Sequence, residues 1–214
     1  MPQDLELAEL MAARLCHDLV GPIGAVANGI ELLGDGSTPD PEVNALIAQS
    51  ARQASRRLQW FRIAFGTANA LPDSGILAET RRLASGLYEE GRVTLDWPAP
   101  DAAAEAAASR QAAKIILNLA LMAIEVLPRG GSVQARLTGS GGALGVQMIA
   151  SGSGARVPDD IQAAMKPGVR SADLTPKSIP AFLAMRVAEA SGTKISQSAG
   201  PDRVELSVSV PANA

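Results

Sequence analysis

Leu5, Ala8, Ala12, Leu15, Leu19, Ile23, Val26, Ile30 and Leu33 recur at alternating intervals of three and four residues. That spacing draws one apolar stripe along a helix and predicts helix over residues 3–34, with Pro22 as a kink. A second set, Val43, Leu46, Ile47, Ala51, Ala54, Leu58, Phe61 and Phe65, repeats the pattern. It predicts a helix from about Pro41, a favourable first-turn proline, to Phe65. Between them Gly34-Asp-Gly-Ser-Thr-Pro-Asp-Pro41 is dense in breakers and reverses the chain. A two-helix hairpin cannot close a core alone. Two hairpins across a two-fold axis make a four-helix bundle, so a homodimer is expected.

The chain has a single histidine, His17, in Leu15-Cys-His-Asp-Leu-Val-Gly-Pro22. At about 100° per residue, His17 projects almost opposite the stripe and should face solvent. Its neighbours on that face are Ala13, Arg14, Gly21, Gly24 and Asn28, small apart from Arg14. Glycine inside a helix costs roughly 1 kcal/mol relative to alanine, and proline about 3. Gly21, Pro22, Gly24 and Gly29 make more sense if the face stays low so that another protein can reach the ring. Histidine suits proton transfer, metal ligation or phosphoryl acceptance, and a chance surface histidine is the competing explanation. A lone histidine argues against zinc, which wants three or four ligands. Cys16 makes a poor dyad partner, since adjacent helix residues diverge by about 100°.

Composition narrows the field. The 214 residues allow one large or two small domains. No uninterrupted run reaches the roughly 18 apolar residues of a membrane span, and the N-terminus lacks the features of a signal peptide. One cysteine permits no internal disulfide and fits a reducing cytoplasm. A net charge of −3 gives no reason to propose nucleic acid.

Residues 66–75 form the expected boundary between a hairpin domain at 1–68 and a second domain at 74–214. In the latter, patterning predicts helices at 76–90, 102–127, 158–165 and 178–191. Strands are predicted at 91–97, 132–138, 143–150, 193–198 and 203–210, with the glycine-rich 139–142 as a four-residue hairpin loop. The whole is an α+β chain whose C-terminal part is a two-layer α/β sandwich with a mixed sheet.

His17-Asp-Leu-Val-Gly-Pro-Ile23 resembles the phosphoacceptor box of histidine kinases. The second domain can therefore be checked for the ATP motifs of that fold. Lys114 to Glu125, followed by Pro128-Arg-Gly-Gly131, resembles the asparagine box, with its first asparagine at Asn118. The Mg²⁺-ligating second one falls on Met122, whose thioether is too soft for a hard cation. Ala150-Ser-Gly-Ser-Gly154 resembles the adenine-binding box but has alanine where the aspartate stands. Pro176-Lys-Ser-Ile-Pro-Ala-Phe-Leu183, where a phosphate loop is expected, holds no glycine. Loss of all three points to a domain that does not bind ATP.

An acceptor histidine joined to a degenerate ATPase-like domain resembles the ChpT-type histidine phosphotransferases of bacterial phosphorelays. The resemblance spans the whole chain. It implies a cytoplasmic homodimer exchanging phosphoryl groups with the receiver domain of a hybrid histidine kinase and with response regulators. Receivers would lie against both the bundle and the C-terminal domain. No membrane, nucleic acid or cofactor is implied, and Mg²⁺ is expected from the receiver. Asp18 would orient the ring, against the alternative of a solvated carboxylate. Arg14 would meet phosphoryl oxygens or an acidic receiver surface, against a solvated arginine, while Gly21 and Gly24 would give docking clearance. Ser50, Arg52, Arg56 and Arg57 on the second helix could meet a receiver or form its wet face. The rival functions are an autophosphorylating kinase and a non-enzymatic receiver-binding scaffold.

Overall fold

A computed structural model of the chain describes residues 3–34, 40–72, 74–89 and 91–212, so the centre of the turn expected at 34–41 lies outside the described residues. Helix α1 runs Gln3–Gly34 and continues through Pro22; α2 runs Pro41–Ala64. Asp40 opens α2 by accepting the Glu42 N–H, and Pro41 fills the first turn as expected. The two helices pack side by side. Gly29 is the contact point, because a methyl group there would sit 2.4 Å from Ile47 Cγ1. That reassigns Gly29 from the open face to helix packing.

Helix α3 (Ile76–Tyr88) leads into strand β1 (Val93–Asp96). The long helix expected over 102–127 is instead two, α4 (Ala102–Ala106) and α5 (Arg110–Glu125). Ser109 is the reason: its extended backbone and its hydroxyl, which accepts the Ala112 N–H, start a new helix. The break lets α4 lie on the sheet over Gly139, where any side chain would collide with the Ala103 carbonyl. Glu105 then caps α3, its Oε1 accepting the Leu77 N–H at 3.1 Å.

Strands β2 (Gly131–Ser140) and β3 (Ala143–Ser151) form a hairpin with a two-residue turn, tighter than the four-residue loop the sequence suggested. Gly141 and Gly142 carry φ of 58° and 78°, the positive pair that such a turn needs and that other residues resist. Helices α6 (Asp159–Ala164) and α7 (Ile179–Ala190) and strands β4 (Ser196–Gly200) and β5 (Arg203–Pro211) complete the chain. The sheet order is β1-β2-β3-β5-β4, with β1 parallel to β2 and the other pairs antiparallel. Leu144, Val146, Met148 and Ala150 of β3 and Val204, Leu206, Val208 and Val210 of β5 alternate inward. They meet α5, which buries Ile115, Ile116, Leu117 and Leu119, and α5 packs in turn on α7. This is the expected mixed-sheet, two-layer sandwich.

The last turns of α2 belong to that same core, through Trp60, Phe61, Ile63, Ala64 and Phe65. Leu7, Leu10, Met11 and Leu15 of α1 pack against it from the side. The rest of the hairpin is less covered. Among the described residues, the large apolar side chains that stand exposed are Leu5, Val20, Ile23, Ile30, Leu32, Leu46 and Leu58, all on α1 or α2. By length and composition alone the segment Asp4–Gly34 is apolar enough to cross a bilayer.

Candidate functional site

His17 sits midway along α1 with its side chain 84% exposed, as the stripe requires. Its Nδ1 lies 2.9 Å from Asp18 Oδ1, so the adjacent carboxylate holds one ring nitrogen. Asp18 is itself partly buried and doubly used. Its Oδ2 accepts from Arg14 Nε at 2.9 Å, one turn back on the helix.

Arg14 is not on the open face where periodicity puts it. It is 8% exposed, and its Nη1 donates to Glu125 Oε1 at 3.0 Å. Glu125 Oε2 in turn meets Lys177 Nζ at 3.2 Å. A long side chain can reach sideways off its helix, and a carboxylate at the end of α5 draws it inward. The result is a line of alternating charge, Asp18–Arg14–Glu125–Lys177, leading from the histidine into the C-terminal domain.

Pro22 shapes the same turn of helix. It has no N–H to give to the carbonyl of Asp18 four residues back. Arg57 of α2 supplies a donor instead, its Nη1 reaching Asp18 O at 2.8 Å. The basic run of α2 is thus more than a wet face. Arg56 pairs with Glu89 at 2.8 Å and Ser50 is buried, leaving Arg52 exposed.

Between α1 and the loop before α7 lies a cleft of about 430 Å³ lined by Arg14, His17, Asp18, Glu125, Asp160, Thr175, Pro176 and Lys177. Asp160 Oδ2 accepts from Thr175 Oγ1 at 2.8 Å and fixes the loop across from the histidine. Gly21 and Gly24 lie further along α1, and a methyl group on either would meet nothing within 4 Å. The chain's own packing leaves both positions free. Cys16 is an exposed free thiol. Among the described residues no three His, Cys, Asp or Glu side chains converge to hold a metal ion.

The kinase-like motif positions have other neighbours. Asn118 is fully buried; its Nδ2 donates to Ala64 O at 2.8 Å and to Lys114 O at 2.9 Å. Lys114 Nζ donates to Gly66 O at 2.8 Å, so α5 closes the carboxyl end of α2. Partial burial holds the Lys114 ammonium below its ordinary pKa. Met122, Ala150 and Ile179 are core residues. Gly152 packs where a side chain would collide with the Gly130 carbonyl, which accounts for a glycine there without any nucleotide.

Glu125 and Lys177 are not legible as site residues, and Arg57, marked in the sequence as a possible receiver contact, gives no sign of its bond to the Asp18 carbonyl. Glu125 is 111 positions from Arg14, and no local pattern marks such a pair.

Residues 77–203 match the family model described as the histidine phosphotransferase C-terminal domain. The protein phosphotransferase ChpT of Brucella abortus (strain 2308) is 32% identical over 192 residues, covering 90% of each chain. The solved structure of a bacterial phosphotransferase covers 95% of this chain and 96% of its own, with a TM-score of 0.75 at 31% identity. The Acinetobacter baumannii histidine kinase AdeS matches at 14% identity and a TM-score of 0.49, over 92% of this chain and 98% of its own. A chain alike in sequence and fold to phosphotransferases along nearly its whole length, with its one imidazole exposed on its first helix, belongs to the histidine phosphotransferase family.

Proposed function

We propose that this histidine phosphotransferase relays a phosphoryl group through His17, from the phospho-aspartate of a hybrid kinase's receiver domain to the aspartate of a response regulator. The observation that carries this is the exposed ring with Nδ1 on Asp18. With the Nδ1 proton donated to Asp18, the lone pair lies on Nε2. Nε2 attacks phosphorus in line; the N–P bond forms as the P–O bond to the receiver aspartate breaks, and that aspartate leaves as a carboxylate. The phosphorylated ring carries positive charge, which Asp18 stabilises from Nδ1. The next receiver's carboxylate then attacks phosphorus and returns the neutral imidazole. A loose transition state asks for positioning and charge stabilisation rather than covalent help. The Mg²⁺ for that charge belongs to the receiver's acidic pocket.

Gly21 and Gly24 support a docking role, since nothing inside the chain needs their small size. ATP independence is supported by Met122 and Ala150 lying in the core at the metal and adenine positions, and by Ile179, equally buried, in the phosphate-loop segment. A homodimer is supported by the exposed apolar side chains of α1 and α2. The cytoplasm follows as the compartment from these partners and from a sole, free cysteine.

Incubation with phosphorylated receiver domains tests the relay. Wild type takes up acid-labile, base-stable label and passes it to a fresh receiver; His17→Gln takes up none. Label that enters from ATP and Mg²⁺ alone would make the protein a kinase. Signalling in cells that survives His17→Gln would make it a scaffold.

A further inference from the structure

We infer that Glu125, at the carboxyl end of α5, is a positioning residue for phosphotransfer: it keeps Arg14 from competing with His17 for Asp18. This rests on the relay through His17. Arg14 is 8% exposed, and a guanidinium so placed must find carboxylates. It has two. Its Nε takes Asp18 Oδ2 and its Nη1 takes Glu125 Oε1, at 2.9 and 3.0 Å. This division leaves Asp18 Oδ1 for His17 Nδ1, also at 2.9 Å.

Neutralising Glu125 leaves Arg14 with Asp18 as its one carboxylate in this line. A guanidinium and a carboxylate then favour the two-pronged pairing that engages both oxygens. Oδ1 turns from the imidazole to Arg14, and the ring proton is no longer fixed at Nδ1. The tautomer with its proton on Nε2 becomes populated, and it has no lone pair there to attack phosphorus. Lys177 bonds the other oxygen of Glu125 at 3.2 Å and so supports its orientation from the loop before α7. The C-terminal domain thereby reaches the reacting nitrogen through three side chains.

The chain's single histidine makes the test direct, because ring-¹⁵N-histidine labelling gives one imidazole to observe. At a pH where imidazole is neutral, wild type shows the Nδ1–H tautomer. Glu125→Gln shifts the ring nitrogens toward the Nε2–H form, and uptake of label from a phosphorylated receiver falls on the order of ten- to a hundredfold. Glu125→Asp keeps the charge, lengthens the gap to Arg14, and moves both readouts less in the same direction. Because Glu125 acts through Arg14, Arg14→Gln/Glu125→Gln transfers no more slowly than Arg14→Gln alone. Wild-type ring shifts and rate in Glu125→Gln would overturn the inference, as would losses that multiply in the double variant. If wild type takes no label at all, the relay fails, while the ring spectra still report whether Glu125 holds the tautomer.

Discussion

Asn118 gives amide protons to the carbonyls of Ala64 and Lys114 and so fastens the end of α2 to α5. Helix ends leave carbonyls without partners, and this one ends inside the core, where water cannot supply them. An asparagine that sequence comparison places in a nucleotide-binding box is spent here on holding the hairpin to the sandwich. Asn118→Ala therefore destabilises the fold, by about 1 kcal/mol in urea unfolding. The loss is tempered because Asn118 Oδ1 is buried without a hydrogen-bond partner among the described residues. Transfer per folded molecule stays near wild type. The sequence made Asn118, Met122 and His17 legible as residues; it could not supply the Ala64 carbonyl, 54 positions away. Arg14 was misplaced for the same reason. Helical phase gives the direction in which a side chain leaves the backbone, but a long arginine ends wherever a buried carboxylate takes it.

Helix α1 is where local pattern and tertiary contact divide the labour. Its extent and the exposure of His17 follow from the three-and-four spacing, but the stripe itself does not mark the packed face: Leu7, Leu10 and Met11, which pack on the core with Leu15, lie off it, and Leu5, Ile23 and Ile30 stand exposed. The spacing is silent on how a helix passes through Pro22 without losing the Asp18 carbonyl, and the answer stands on another element. Arg57 supplies the missing donor at 2.8 Å. Arg57→Ala should therefore cost about 1 kcal/mol in thermal or urea unfolding. In a Pro22→Ala background, where an ordinary helical N–H faces Asp18 O, the same change should cost less. Equal losses in both backgrounds would mean that Arg57 contributes through something other than the proline's vacancy. Elsewhere in the chain, breaks set by side-chain capping were the hard ones. Ser109 starts a new helix in a run of alanines that reads as a single helix, because its role depends on its backbone angles rather than its neighbours. Gly141-Gly142, by contrast, marks a turn in the sequence, and only the pairing of Ser140 with Ala143 fixes its length at two residues.

At the scale of the whole molecule, the hairpin and the sandwich differ in how well they are covered. The sandwich core is closed, with the last turns of α2 inside it, whereas along the rest of the hairpin α1 keeps Val20 at 70% exposure, Leu32 at 61% and Ile30 at 56%. Apolar surface in water costs about 25 cal/mol per Å², and a contiguous patch of it marks a partner or a membrane. A second hairpin is the partner proposed above. Both helices carry exposed apolar residues, and two hairpins paired about a two-fold would cover the face of α1 that Leu5, Ile23 and Ile30 share, about 120° round the helix from His17. The expected mass by light scattering is twice the 22.0 kDa of the chain. Ile30→Glu places a charge in the proposed seam and shifts the mass toward 22.0 kDa, while His17 stays several turns away. If α1 instead met a bilayer, the wild type would float with liposomes and Ile30→Glu would not. A monomer of wild type at micromolar concentration, neither pairing nor floating, would leave the exposed face to the receivers themselves.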